Sequence, residues 1–231
     1  MLFFLKYGDP KYKFFLPSIY DSLIALFNLF TDSSFYASVL FTILRVLVAL
    51  MLGIVIGIIL AYTSYKINAV KIIVSPFFSV MRSTPIASII IILYVIIHNA
   101  NLLTICIAVL MISPIIWQNV LDSFDSIPKD LSEVCDSFEI SRLSKLKILV
   151  LPTFLKFLIP AIITSSSLCW KATVSAEIIV YTEKSIGDII TDAKYWSQTS
   201  IVFACTIVVI ILSIVFEKLS KSLLKRCEKW L

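Results

Sequence analysis

The sequence predicts an all-α integral membrane protein of about five transmembrane helices, with one short amphipathic helix in a polar loop. Three observations predict it. Of the 231 residues, 59% are apolar and only 15% charged, with a mean hydropathy of +0.99, where soluble domains are near half apolar and a quarter charged. Apolar runs of the roughly 20 residues that a helix needs to cross a hydrocarbon core recur along the chain. The basic residues behind the net charge of +5 gather in loops and in the tail Lys218, Lys221, Lys225, Arg226 and Lys229, which marks membrane topology rather than an affinity for nucleic acid.

Residues 1–36 read as an N-terminal extracytoplasmic segment. Its first fifteen residues are too short and too charged to span a membrane. In 17–30, Ile19, Leu23, Leu26, Phe27 and Phe30 recur at helical spacing. That pattern fits an amphipathic helix lying in the outer interface, or a short helix facing the core.

The main body, 37–220, begins with a span at 37–63, apolar apart from Thr42 and Arg45. Its Gly53-x-x-x-Gly57 puts two glycines on one helix face, where a neighbouring helix can approach closely. A second span over 70–97 is interrupted at Arg82-Ser-Thr-Pro85, where proline removes a backbone donor and bends the helix. Further spans follow at 102–119, at 152–180 with Pro160 inside it, and at 200–216.

The longest polar interruption, 121–147, and the charged end after Phe216 are separated by two crossings and share a side. Together with Lys66 and Lys71 they hold eleven basic residues, against five on the other side. The basic side is cytoplasmic by the positive-inside rule, which leaves the tail 221–231 inside and the N-terminus outside.

Within the loop 121–151, Pro128 suits a first helical turn and Ser126 a nearby cap. Leu131, Val134, Cys135 and Phe138 follow at i, i+3, i+4 and i+7, forming one apolar face opposite Glu133 and its polar neighbours. Ser141 then caps a second helix starting at Arg142. Such a helix either lies on lipid headgroups or fits a groove on a soluble partner.

Besides Lys156, the charges within or at the ends of the spans include Arg45, Arg82, Lys171 and Glu177. Ionisable groups at such depth cost several kcal/mol unless they meet a partner or a polar cavity, so these are the candidates for lining a pathway. Lys171 and Glu177 project roughly 240° apart on one helix and do not pair directly; Arg45 and Arg82 are possible partners from other spans. Lys171 has a second reading, as a lysine snorkelling to the outer interface.

Several activities are excluded or unsupported. There is no G-x-x-x-x-G-K-[ST] phosphate loop and no nucleophile-base constellation. The five cysteines are scattered, and His98 is the single histidine, so neither a metal site nor a redox pair is indicated.

The run Ile127-Pro-Lys-Asp-Leu-Ser-Glu133-Val-Cys-Asp-Ser-Phe-Glu-Ile-Ser-Arg142, closing at Leu151-Pro152, resembles the Glu-Ala-Ala loop of binding-protein-dependent ABC importer permeases. Glu133 falls on the motif's glutamate, Ser141-Arg142 on its small-basic pair and Leu151-Pro152 on its Leu-Pro. Val134 and Cys135 stand in place of the alanines, and Glu139 in place of the usual glycine. A glycine would turn there at positive φ without strain, so Glu139 implies a differently shaped corner.

Over nearly the whole chain the resemblance is to nitrate/sulfonate/taurine-type permeases. It runs through Leu16-Pro17-Ser18, Leu44-Arg45-Val46-Leu47, Gly53 to Gly57, Arg82 to Pro85, Asn119, Trp170, Ala176-Glu177 and Ser185-Ile-Gly187-Asp188. It implies a type I importer transmembrane subunit in a bacterial cytoplasmic (inner) membrane, paired as a homodimer. Two ATPase subunits would dock on the loop and bind the ATP, the permease having no cofactor of its own, and an extracytoplasmic solute-binding protein would deliver substrate. The implied solute is a small anion such as nitrate, sulfonate, taurine or bicarbonate, or a vitamin-precursor-like compound. Such permeases usually have six spans, so the resemblance also implies a first helix that is lost or a misassigned start. An ion-coupled secondary transporter using Lys171 and Glu177 is the alternative; a non-transporting scaffold leaves the intramembrane charges without a purpose.

Overall fold

The computed structural model describes residues 17–228. The segment up to Leu16, with Lys6, Lys11 and Lys13, the residues 229–231 and the side chains of the basic tail from Lys225 on lie outside the described residues.

The described residues are helical, with no strand among them. Helix α1, Ile19–Thr31, starts at Ser18, whose hydroxyl accepts from the Tyr20 N–H. It buries Ser22 and Ala25 and turns Ile19, Leu23, Phe27 and Phe30 outward. The apolar side of α1 thus faces away from the bundle, which suits lipid and departs from the core-facing reading.

Asp32 caps α2, Ser33–Lys66, accepting from the backbone and hydroxyl of Ser34 at 2.9 and 2.7 Å. At 1.5 Å per residue this helix is about 51 Å long and exceeds a hydrocarbon core. It packs side by side and parallel with α5, Ala100–Asp125. Ile112 of α5 lies on Gly53 and Ile116 on Gly57; a Cβ at Gly57 would sit 2.7 Å from that of Ile116. About two turns beyond Gly57, the Ser64 hydroxyl accepts from the Trp117 indole N–H at 3.0 Å.

Between them run α3, Asn68–Ser83, and α4, Ile86–Ile96, bent by 113°. The bend is a full break rather than a kink in one helix. Pro85 cannot donate and forces Thr84 into an extended conformation with ψ 135°, because its ring excludes the helical region for the residue before it.

Helix α5 begins at Asn99, which accepts from the Leu102 N–H at 3.0 Å. It continues past Asn119 to Asp125, burying Leu121 and Ser123, so the polar loop is shorter than the hydropathy implied. Ser126 terminates α5, donating its hydroxyl to the Ser123 carbonyl, and so is not the cap of the next helix.

That next helix, α6, is Lys129–Ser137. After a corner, α7, Arg142–Lys145, leads through a π-helical turn, Leu146–Val150, into α8, Leu151–Val180. Helix α9, Ile186–Tyr195, is capped by Ser185, and α10, Thr199–Glu228, completes the bundle.

Among the described residues, four helical stretches are long and apolar enough to cross a membrane, or five with the broken pair as one span. The core lies where α2, α5, α8, α9 and α10 meet, around Val46, Ala108, Ile112, Trp170, Ile186 and Cys205. Large apolar side chains such as Met51, Ile73 and Val95, 69–72% exposed, face outward, as lipid-facing residues must when the solvent is hydrocarbon.

Candidate functional site

At the end of the bundle opposite α6, α2 presents Thr42 and Arg45 on successive turns, and α8 presents Glu177 three residues before it ends at Val180. Arg45 Nη1 donates to Glu177 Oε1 at 3.0 Å. Glu177 Oε2 accepts from the Thr42 hydroxyl at 3.0 Å and from the Gly187 N–H at 3.4 Å. Glu177 is fully buried and Arg45 is 8% exposed. The remaining donors of Arg45 reach Asn101 Oδ1, at 2.6 and 2.9 Å, and the carbonyls of Glu183 and Lys184, at 3.0 and 3.3 Å. All five guanidinium N–H groups therefore have an acceptor.

This junction ties α2, α5, α8 and α9 to the 181–185 loop. The loop needs such ties, because Tyr181 and Lys184 adopt left-handed backbones with φ 56° and 51°, costly for side-chain-bearing residues. Gly187 has to be glycine: a Cβ there would strike Glu177, whose carbonyl carbon would lie 2.7 Å away. Outside the spans, the Tyr181 hydroxyl donates to Asp192 at 2.6 Å, and this bond with the nearby carboxylates pushes the phenol up to about 12. Partial burial foremost, then the charge of Asp192, raises Asp188 above the usual carboxylate range.

The other expected residues are dispersed. Arg82 is exposed at the α3–α4 break, and it is Arg45 that pairs with Glu177. Lys171 is exposed on a different face of α8 from buried Glu177, as their spacing requires. Asn101 escaped sequence reading because a lone asparagine two residues after a helix cap looks like an ordinary helix-start residue; Thr42 was visible only as one polar residue in an apolar run.

At the basic end, α6 leaves its apolar positions uncovered. Leu131 is 50%, Val134 48% and Phe138 77% exposed; Cys135 is half-buried and Glu133 exposed. At the following corner Glu139 adopts φ 52°. The left-handed turn expected of a glycine is thus kept with a non-glycine residue. The Ile140 N–H closes it on the Cys135 carbonyl at 3.0 Å, and the Ser141 hydroxyl caps α7 through the Ser144 N–H at 3.2 Å. Exposed Arg142 starts α7, next to that cap.

A bundle of apolar spans with an exposed amphipathic helix in one polar loop is that of a multi-pass membrane protein. The chain belongs to the family described as "Binding-protein-dependent transport system inner membrane component", whose model matches residues 53–229. No curated protein sequence matches it.

Among solved structures, one described as an amino acid ABC transporter with histidines is 16% identical, with a TM-score of 0.69, covering 94% of this chain and 100% of that one. Two inward-facing structures of the MetNI methionine ABC transporter are 16% and 14% identical, with TM-scores of 0.59 and 0.58. They cover 83% and 95% of this chain and 93% and 99% of theirs. These likenesses concern the fold.

Proposed function

We propose that the chain is the permease subunit of an ATP-driven importer, acting as a homodimer with two separate ATPase subunits and an extracytoplasmic solute-binding protein. The observation that carries the reading is α6. A nine-residue helix whose apolar positions stay uncovered, joined through a capped corner to a membrane span, suits insertion into a groove on a soluble partner. Its side of the membrane is the cytoplasm, because Lys66, Lys71, Arg142, Lys145 and Lys147 cluster there. Lys71 meets Asp125 at 3.7 Å, bringing the two inner turns together.

ATP binding to the partners moves α6, and each α6 moves the rigid α7–α8 rod joined to it. The rod ends at the Arg45–Glu177 junction, so motion at one face is delivered to the outer loop at the other. Lys171 and Arg82 line the pathway, and Arg45 and Glu177 anchor its outer rim. The solute is small and polar; the amino acid and methionine transporters among the structural neighbours favour an amino-bearing compound over nitrate or bicarbonate.

The test is purification of the tagged chain from its native membrane. An ATPase should accompany it, and zero-length crosslinks should join that ATPase to residues 128–142. Recovery of the chain without any ATPase, with solute uptake driven by an ion gradient alone, contradicts the reading and favours a secondary transporter.

A further inference from the structure

Among the described residues, four buried side-chain polar atoms meet no hydrogen-bond partner, and three of them fall between residues 165 and 173 of α8: Ser165 Oγ, Trp170 Nε1 and Thr173 Oγ1. These residues are at most 1% exposed. A hydroxyl on a helix ordinarily turns back to a carbonyl of the preceding turn. Neighbouring Thr164 and Ser166 do so, to Pro160 at 3.0 Å and Ile163 at 2.7 Å, as do Thr104, Ser113 and Thr206 elsewhere. Ser165 and Thr173 do not, so their hydroxyls are aimed away from the backbone of α8.

Ser165, Cys169, Thr173 and Glu177 recur every four residues and make one ridge along α8. Each is 0% exposed. At two points the ridge lies on α2: the Cys169 thiol donates to the Val46 carbonyl at 3.5 Å, and Glu177 holds Thr42 and Arg45. Thr173 sits between those points, beside the Cys169 thiol, which is a weak partner. The apolar cluster packed there takes Val46, Ala49 and Leu50 from α2, and none of the three has a polar side chain. Trp170 lies off the ridge, its ring packed on Phe216 of α10 with 6.1 Å between centroids.

Buried hydroxyls without a protein partner are met by ordered water, and the spacing of the ridge suits it. Four residues of helix rise about 6 Å, while a water bonded at about 2.8 Å on each side spans about 5.6 Å. A cation does not suit the seam, because Arg45 already matches the single charge on the ridge and would repel a second cation. An apolar occupant would leave the hydroxyls unmet. We propose that the seam between α2 and α8 binds a short file of water molecules, one between Ser165 and Cys169, one between Cys169 and Thr173, and one between Thr173 and Glu177. The file supplies the buried junction with replaceable partners, so a shift of α8 along α2 exchanges bonds with water instead of stranding Glu177.

The experiment uses the full chain in lipid nanodiscs and has two readouts. The first is the unfolding midpoint. With water on the hydroxyls, Ser165→Ala and Thr173→Val each strand a bridging water and should lower the midpoint by about 2–4 °C. In a dry seam the same changes remove an unmet polar group, and the midpoint should hold or rise. The second is the infrared S–H band of Cys169, assigned by its loss in Cys169→Ala. A thiol touching water should convert to S–D within minutes of transfer into D2O, whereas a dry one keeps its S–H band for hours. Lowered midpoints together with prompt conversion support the file. An unchanged or raised midpoint in both variants, or an S–H band that persists, overturns it.

Discussion

Single residues show where the chain spends polar groups inside an apolar bundle. Arg45 is saturated by five hydrogen bonds to four acceptors and Glu177 is bound by three donors, so each is held in place by the other. Removing one member leaves a buried charge uncompensated, which costs about 3–5 kcal/mol. Arg45→Met or Glu177→Met should lower the unfolding midpoint of the solubilised chain accordingly. The double variant should lose much less than the sum of the two, because the members of one network couple; strict additivity would show that the pair is not a unit.

Tyr181 gives a pH-dependent counterpart. Its bond to Asp192 holds the phenol neutral, raising it from 10 to about 12. A group with a raised folded value contributes stability that is complete below its unfolded value and is lost as pH climbs through the folded one, so the window runs from 10 to about 12. The phenolate absorbance of Tyr181 should appear near the top of that window and shift downward in Asp192→Asn.

At the scale of elements, the helices follow from hydropathy, and what departs from expectation is where helices meet. The run 70–97 is long enough for one bent span, yet the structure divides it by 113° at Thr84-Pro85, because proline constrains its predecessor as well as itself. The boundary at Asn119 fell short because a helix continues while its inner face finds partners, as Leu121 and Ser123 do. Ser126 had cap chemistry but sat one helix too early.

The Gly53–Gly57 face shows the packing logic most directly. Gly57→Val would drive side-chain atoms into Ile116 and toward the Ser113 carbonyl, 3.1 Å from the added Cβ. The expected loss is about 1–3 kcal/mol, read as a lower thermal midpoint, with Gly57→Ala milder. Glu139 is the opposite case. Its left-handed backbone costs about 1 kcal/mol relative to glycine, so Glu139→Gly should slow protease cleavage at the α6–α7 corner, and faster cleavage would refute the strain.

For the whole molecule, composition alone made the membrane class legible, and the spacing of Leu131, Val134 and Phe138 made α6 legible. The buried junction was only half visible. Arg45 and Glu177 stood out because charges are rare in apolar runs, but Asn101, Thr42 and the carbonyls of 183 and 184 join them only when four elements converge, and no local pattern announces that convergence.

The central claim is that an ATPase drives this bundle through α6, and Phe138 offers the most direct test. Its side chain is 77% exposed, so Phe138→Asp should leave the fold intact while removing an apolar anchor worth on the order of 2 kcal/mol to docking. The measurement is ATP-dependent solute accumulation in vesicles carrying the assembled complex. The account predicts that Phe138→Asp abolishes accumulation while the chain remains in the membrane with an unchanged unfolding midpoint; undiminished ATP-driven accumulation in that variant would contradict it.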